Sequence, residues 1–312
     1  MQAMTVRRKM NVRRKIGKPR TSVSLVLGSG GARGLAHIGV IKWLEENGYV
    51  IRSIAGSSMG ALIGGIYASG KLDIYEKWVR ALRKRDVMFL LDFAYSRAGL
   101  FSGDRIIKTL RDMLGDIRIE DLPFSYTAVA TDLHAGREVW LTRGSLFDAI
   151  RASMAIPTVF TPVKYEGHLL VDGGLLNPVP IAPTLKDITD ITVAVSLSGK
   201  KDPLMSVKPG ENDNDSVNKK SINSYQKAIV DFIASIPVRL SREEKQSEIN
   251  IIELMSQSFE AMEHLITRLK LAAYTTDHLI EIPANACSIF EFYRAKDMIE
   301  LGYERTAREF NR

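Results

Sequence analysis

Three short stretches of this sequence join residues that could do chemistry to residues small enough to expose them. The first is Gly56-Ser57-Ser58-Met59-Gly60, a G-x-S-x-G pattern. Small neighbours let the backbone turn sharply between a strand and a helix, so that the serine hydroxyl stands clear of the sheet as a nucleophile. At a helix start, Ser58 would also face unpaired N–H groups and the positive end of the helix dipole. The same letters describe a plain glycine turn with a serine cap. The second stretch is Gly28-Ser29-Gly30-Gly31-Ala32-Arg33-Gly34. Consecutive glycines after a strand expose backbone N–H groups that can hold an anion or an oxyanion. The third is Asp172-Gly173-Gly174, a carboxylate followed by two glycines, a pattern shared with ordinary Asp-Gly turns.

The glycine stretch has three readings. A dinucleotide site uses G-x-G-x-x-G and an acidic residue about twenty positions on. Here Arg33 takes the sixth position, and Arg52 and Ser53 stand where the acid belongs. A phosphate loop needs Gly-Lys-Ser/Thr, which is absent. An oxyanion loop needs only a pair of backbone donors beside a nucleophile, so it asks least of the sequence. The nucleophile also needs a base. Of His37, His134, His168, His264 and His278, only the last two follow Asp172, the order a Ser–Asp–His triad of the α/β-hydrolase type requires. His264 falls in a helical pattern, His278 opens an apolar strand, and His37 sits in an amphipathic helix. A direct Ser58–Asp172 dyad therefore stays open, with partial desolvation poising the carboxylate as base.

The elements that must position these residues follow from apolar spacing. Val23–Leu27, Val50–Ala55, Tyr126–Ala130, Val139–Leu141, Leu169–Val171, Ile191–Leu197 and Asp277–Ile282 read as strands. Helices are expected from the glycine loop to Asn47 and over Ala61–Ser69, Leu72–Arg85, Asp104–Leu114, Leu146–Ala152, Ile251–Ala273 and Ile289–Phe310. Strands alternating with helices favour a mostly parallel sheet covered by helices. Residues 200–223 are polar and read as a long loop or disordered insertion in one α/β domain spanning 21–312. The apolar residues of Val87–Phe101 and of the 251–273 helix (Met255, Phe259, Met262, Leu265) read as core rather than as an acyl pocket or a lipid lid.

Taken together, the three stretches resemble the signatures of patatin-like phospholipases, in particular the bacterial branch related to neuropathy target esterase. Gly99-Leu100-Phe101-Ser102-Gly103, Ala130-Thr131-Asp132-Leu133, Ala149–Pro157 and Asn177-Pro178-Val179-Pro180 are also similar. The resemblance runs from about Val23 to Val195 and returns weakly over Asp277–Gly302. It implies a three-layer α/β/α fold and a serine lipid acyl hydrolase, acting on phospholipids or other acyl esters. Carried onto this chain, Ser58 is the nucleophile and Asp172 the base. Gly30, Gly31, Ala32 and Met59 supply oxyanion N–H groups, helped by the charge of Arg33. Gly28, Gly34, Gly56, Gly60, Gly173 and Gly174 shape the turns. No metal or cofactor is implied. Ser29 is a departure, because the family commonly has glycine there. Competing readings are an acyltransferase of related fold served by acyl carrier protein, and a non-catalytic lipid-binding regulator. The intact Ser58 and Asp172 argue against the latter.

The chain has 312 residues, 45% hydrophobic and 25% charged, which excludes global disorder and a collagen-like chain. Its net charge of +7 is unevenly placed. Residues 1–20 hold eight basic residues and no acidic one, leaving the remainder at −1. The arm has three readings: contact with an anionic membrane, a solvated tail, and, last, nucleic acid, since it has no aromatics to stack bases. One cysteine, Cys287, and no secretory h-region fit a cytoplasmic protein, with the arm at most touching the inner membrane face.

Overall fold

The computed structural model describes residues 20–91, 99–205 and 251–312. Residues 1–19 of the basic arm and most of the polar insertion lie outside the described residues. In chain order the elements are β1 (Ser22–Leu27), α1 (Ala36–Glu46), β2 (Val50–Ser57), α2 (Met59–Ala68), α3 (Leu72–Ala81), α4 (Lys84–Leu90), β3 (Gly99–Phe101) and α5 (Asp104–Leu114). They continue with β4 (Ser125–Asp132), β5 (Arg137–Leu141), α6 (Leu146–Ser153), β6 (Thr158–Phe160), β7 (Val163–Tyr165) and β8 (His168–Asp172). The last are β9 (Ile191–Gly199), α7 (Ile251–Ala273), β10 (His278–Pro283) and α8 (Ala295–Phe310).

The main sheet runs β10-β9-β1-β2-β4-β8-β7, with β5 also paired to β4. From β10 to β4 every pairing is parallel, while β5, β8 and β7 join antiparallel. Both faces of the sheet are covered, and the strands show it residue by residue. Val23, Leu25 and Leu27 of β1 belong to the large core cluster, whereas Val26 packs with Val179, Ile181 and Ala194 on the other face. Such strands read as continuous apolar runs because alternate side chains are buried on opposite sides. This is the expected three-layer α/β/α arrangement with a mostly parallel sheet.

Three local expectations differ. The helix expected over Leu72–Arg85 is two helices. The chain is extended at Leu82 and Arg83, and the Asp86 carboxylate accepts the Arg83 N–H at 2.9 Å, capping the new start. The last helix starts at Ala295 rather than Ile289, which frees Ile289 for a contact described below. On α7 the expectation of core packing fails at three of its four residues. Met255, Met262 and Leu265 are exposed, as are Leu254 and Leu269, and Phe259 is half-buried, while the buried side chains among the described residues are Glu263 and Thr267. A helical period shows that a stripe exists, not which stripe meets the protein.

Helices α1 and α8 press together on the large core at two glycines. A Cβ on Gly39 would stand 2.0 Å from the Ile299 carbonyl oxygen, and one on Gly302 would stand 2.0 Å from that of Ala36. Neither neighbour is a side chain that can swing away. Gly39→Ala should therefore force the helices apart and cost about 1–3 kcal/mol, seen as a lower urea midpoint with the slope unchanged.

Candidate active site

The site is assembled by two strands that run toward each other. β2 lies parallel to β4 and ends with Ser57 opposite Val129. β8 lies antiparallel to β4 and ends with Asp172 opposite Ala130, the next register position. β5 pairs Ala128–Asp132 and so takes β4's other edge. The C-terminal ends of β2 and β8 thus meet over β4, bringing together Ser58 and Asp172. The junction is tight, since a Cβ on Gly173 would lie 2.1 Å from Val129 O and 2.5 Å from Ser57 Oγ.

Ser58 stands between β2 and α2 with φ 54° and ψ −119°, a conformation costly for a residue with a side chain. Such strain persists only where neighbours hold it. Here the Ser58 N–H donates to Ser153 Oγ at 2.9 Å, and the Ser153 hydroxyl donates to Val129 O at 2.6 Å. The flanking glycines are required by contact: a Cβ on Gly56 would lie 2.4 Å from Gly60 C, and one on Gly60 would lie 2.0 Å from Leu27 O. The Met59 N–H opens α2 and meets no acceptor among the described residues.

Asp172 is fully buried. Its Oδ1 accepts the Gly174 N–H at 2.7 Å, while Oδ2 has no partner in hydrogen-bonding geometry among the described residues. The Ser58 side chain lies close enough to lower the carboxyl's pKa as a donor, without forming an aligned bond. Such loose contacts are common before a substrate arrives. Burial outweighs both donors and raises Asp172 to about 7. No histidine among the described residues is hydrogen-bonded to either side chain. His37 donates to Gly28 O at 2.9 Å, and burial lowers it to about 4, so the ring is a neutral strut for the glycine loop. His168 pairs with Asp132 and His278 stacks on Phe310.

The glycine loop leans on the elbow, where a Cβ on Gly34 would meet Met59 Cβ at 2.3 Å. Its N–H groups divide into used and unused. Gly28 donates to Val195 O at 3.0 Å, Ser29 to Pro178 O at 2.8 Å and Ala32 to Ile289 O at 2.9 Å. The expectation that Ala32 supplies an oxyanion donor is therefore corrected, because its N–H is taken by the segment before α8. Gly30 and Gly31 keep N–H groups with no acceptor among the described residues, Gly31 at φ 56°. Arg33 is buried, donates to Ala284 O at 2.6 Å and pairs with Glu260 of α7 at 3.7 Å.

Two cavities meet here. One, with about 740 Å³ of empty space partly open to solvent, runs from Ser58 between Leu62, Trp78, Leu91 and Met154. Val87 and Leu90 line it too, so the expectation that the apolar 87–101 stretch is only core is corrected in part; residues 92–98 lie outside the described residues. The second cavity reaches Gly30, Gly31 and Arg33 from Met255, Phe259 and Met262 of α7. Gly31, Ile156, Ile289 and Phe290 line both. Among the described residues no helix is long and apolar enough to cross a membrane, and no group of three or more His, Cys, Asp or Glu has metal-site geometry.

Sequence reasoning missed Ser153, Ile289 and Glu263. Glu263 is buried on α7 and accepts the Ser29 hydroxyl at 2.7 Å. Ser153 lies in the Ala149–Pro157 stretch named above, but no local signal marks any of the three contacts, since each partner is distant in sequence. Ser153→Ala strands the buried Ser58 N–H and Val129 carbonyl, and should cost about 1–3 kcal/mol in urea denaturation, unlike Ser258→Ala on the exposed side of α7.

Comparison with known proteins places the chain in a family. The sequence profile described as Patatin-like phospholipase matches residues 25–185. An uncharacterized NTE family protein of Mycobacterium tuberculosis is 38% identical over 330 residues, covering 92% of this chain and 90% of the relative. Neuropathy target esterase sws of Drosophila grimshawi is 39% identical over 166 residues, which is 51% of this chain but 11% of that protein. Among solved structures, VipD from Legionella pneumophila aligns with a TM-score of 0.44 and 15% identity, covering 93% of this chain and 66% of that one. With the profile across half its length and a relative matched nearly end to end, the chain belongs to the patatin-like phospholipase family.

Proposed function

We propose that the protein is a serine lipid acyl hydrolase in which Ser58 and Asp172 form the catalytic dyad. The observation that carries this reading is the strained Ser58, opening α2 beside a buried carboxyl whose Oδ2 lacks an aligned partner. Ionised Asp172 takes the Ser58 proton as Oγ attacks the ester carbonyl. The N–H groups of Gly30, Gly31 and Met59 hold the resulting oxyanion. The ester C–O bond then breaks, Asp172 returns the proton to the departing alcohol, and the acyl group remains on Ser58. Water enters, gives its proton to Asp172 and attacks the acyl carbon. Fatty acid leaves, and Ser58 recovers its proton.

The apolar cavity beside Ser58 supports an acyl chain as the bound group, since polar lining is nearly absent there. Burial of Asp172 makes its carboxylate a stronger base than it is in solution. The family assignment and the name of the fly relative point to the same chemistry. The basic arm, all but Arg20 of which lies outside the described residues, would hold the enzyme at an anionic lipid surface, its charges contributing about 1 kcal/mol each.

Ser58→Ala should abolish hydrolysis of p-nitrophenyl esters and labelling by a fluorophosphonate, and wild-type turnover by that variant would reject the dyad. Asp172→Asn should lose nearly all turnover. Because Asp172 must be ionised and titrates near 7, kcat/KM should fall as pH drops below about 7. Stability carries the opposite sign. A carboxyl whose pKa is raised on folding favours the fold most below its unfolded value and loses that contribution as pH rises through its folded one. Asp172→Asn should thus gain thermal stability relative to wild type between pH 4 and pH 8.

A further inference from the structure

A second carboxyl is buried beside the dyad, and the mechanism above does not use it. Glu263 Oε1 accepts the Ser29 hydroxyl at 2.7 Å. A Cβ on Gly174 would stand 2.3 Å from the same oxygen and 2.5 Å from Ser29 Oγ. Gly174 is the residue whose N–H holds Asp172 Oδ1. Glu263 is therefore wedged between the glycine loop and the Asp172 turn, next to the residue that precedes Gly30. It also accounts for Ser29, where the resemblance expects glycine: the hydroxyl has a buried acceptor because α7 brings one.

The charged groups facing Glu263 are Asp172 at the end of β8, Arg33 from the turn before α1 and Glu260 on α7 itself. Arg33 is the one cation among them, and its guanidinium is divided between Ala284 O and Glu260. Two carboxylates in so dry a place cannot both ionise cheaply. We propose that Glu263 is a positioning residue that works protonated, clasping the glycine loop to the Asp172 turn and keeping that spot uncharged while Asp172 is ionised. The inference rests on the Ser58–Asp172 reading. Loss of the Glu263 proton would place an anion one hydrogen bond from Ser29, beside the Gly30 donor, where it opposes the negative charge developing on the substrate.

The pair then releases its protons in two steps, the first creating the base and the second weakening the oxyanion loop. Burial, with the Asp172 charge second, pushes Glu263 up to about 8, while Ser29 and Arg33 pull it down. The test is the pH dependence of fluorophosphonate labelling and of p-nitrophenyl ester kcat/KM in the full chain. Wild type should give a bell, with rates on the alkaline side falling about tenfold per pH unit. Glu263→Gln keeps an amide oxygen for Ser29 but cannot ionise, so the alkaline limb should vanish and the acid limb stay. Ser29→Ala removes a donor that favours the carboxylate, so its alkaline limb should move to higher pH. A wild-type profile with no alkaline limb, a Glu263→Gln profile that keeps it, or a Ser29→Ala limb that does not move overturns the proposal. If Glu263→Gln does not fold, wild type and Ser29→Ala decide. Equal labelling of Ser58→Ala and wild type would instead overturn the dyad reading.

Discussion

The end-on meeting of β2 and β8 along one edge of β4 is the constraint from which the site follows. A parallel strand and an antiparallel strand reach adjacent register positions on β4 from opposite directions, so their turns must share one small volume. Side chains larger than glycine do not fit at Gly56, Gly60 or Gly173. The strained backbone of Ser58 persists because β4 and α6 hold it, through Val129 and Ser153. The sheet thus spends stability locally, a few kcal/mol at most for one strained residue, and recovers it in the core packed on both faces.

Burial then determines the chemistry available at that junction. Asp172 lies where water does not reach, and desolvation is the first cause of its raised pKa. The same dryness raises Glu263 and leaves the His37 ring neutral, although each meets a different set of donors and acceptors. A hydrogen bond from Gly174 or Ser29 moderates these shifts without reversing them. The apolar lining of the cavity beside Ser58 continues the apolar surroundings outward from the junction.

Helix α7 departs from the pattern of the other helices. Its covered side carries Glu263 and Thr267, and its open side carries Leu254, Met262, Leu265 and Leu269. Its contact with the body includes a carboxyl delivered to the glycine loop and Glu260 delivered to Arg33, while Leu271 packs on the Val26 cluster. The apolar stripe that the sequence displays here borders the second cavity through Met255, Phe259 and Met262 and is exposed at Leu265, and that is why the helix is recognised correctly while its packing is not.

Ser58, Asp172 and the glycine loop were legible in the sequence because each sits in a local motif, and local backbone geometry restricts which residues can occupy it. The strand–helix alternation was legible for the same reason, as apolar periodicity is a property of neighbouring residues. Ser153, Ile289 and Glu263 were not legible. Ser153 acts on Ser58 across 95 positions and Glu263 on Ser29 across 234, so nothing near any of them in the chain marks the contact. Ile289 likewise reaches Ala32 from the far end of the chain and removes one donor that the loop pattern had promised. By itself, then, the sequence determined the turns, the side chains those turns carry and the family. Tertiary structure alone decided which N–H groups stay unpaired, which carboxyls lose their water and which face of α7 is covered, because pairing and desolvation depend on what the fold brings near rather than on what the chain places next.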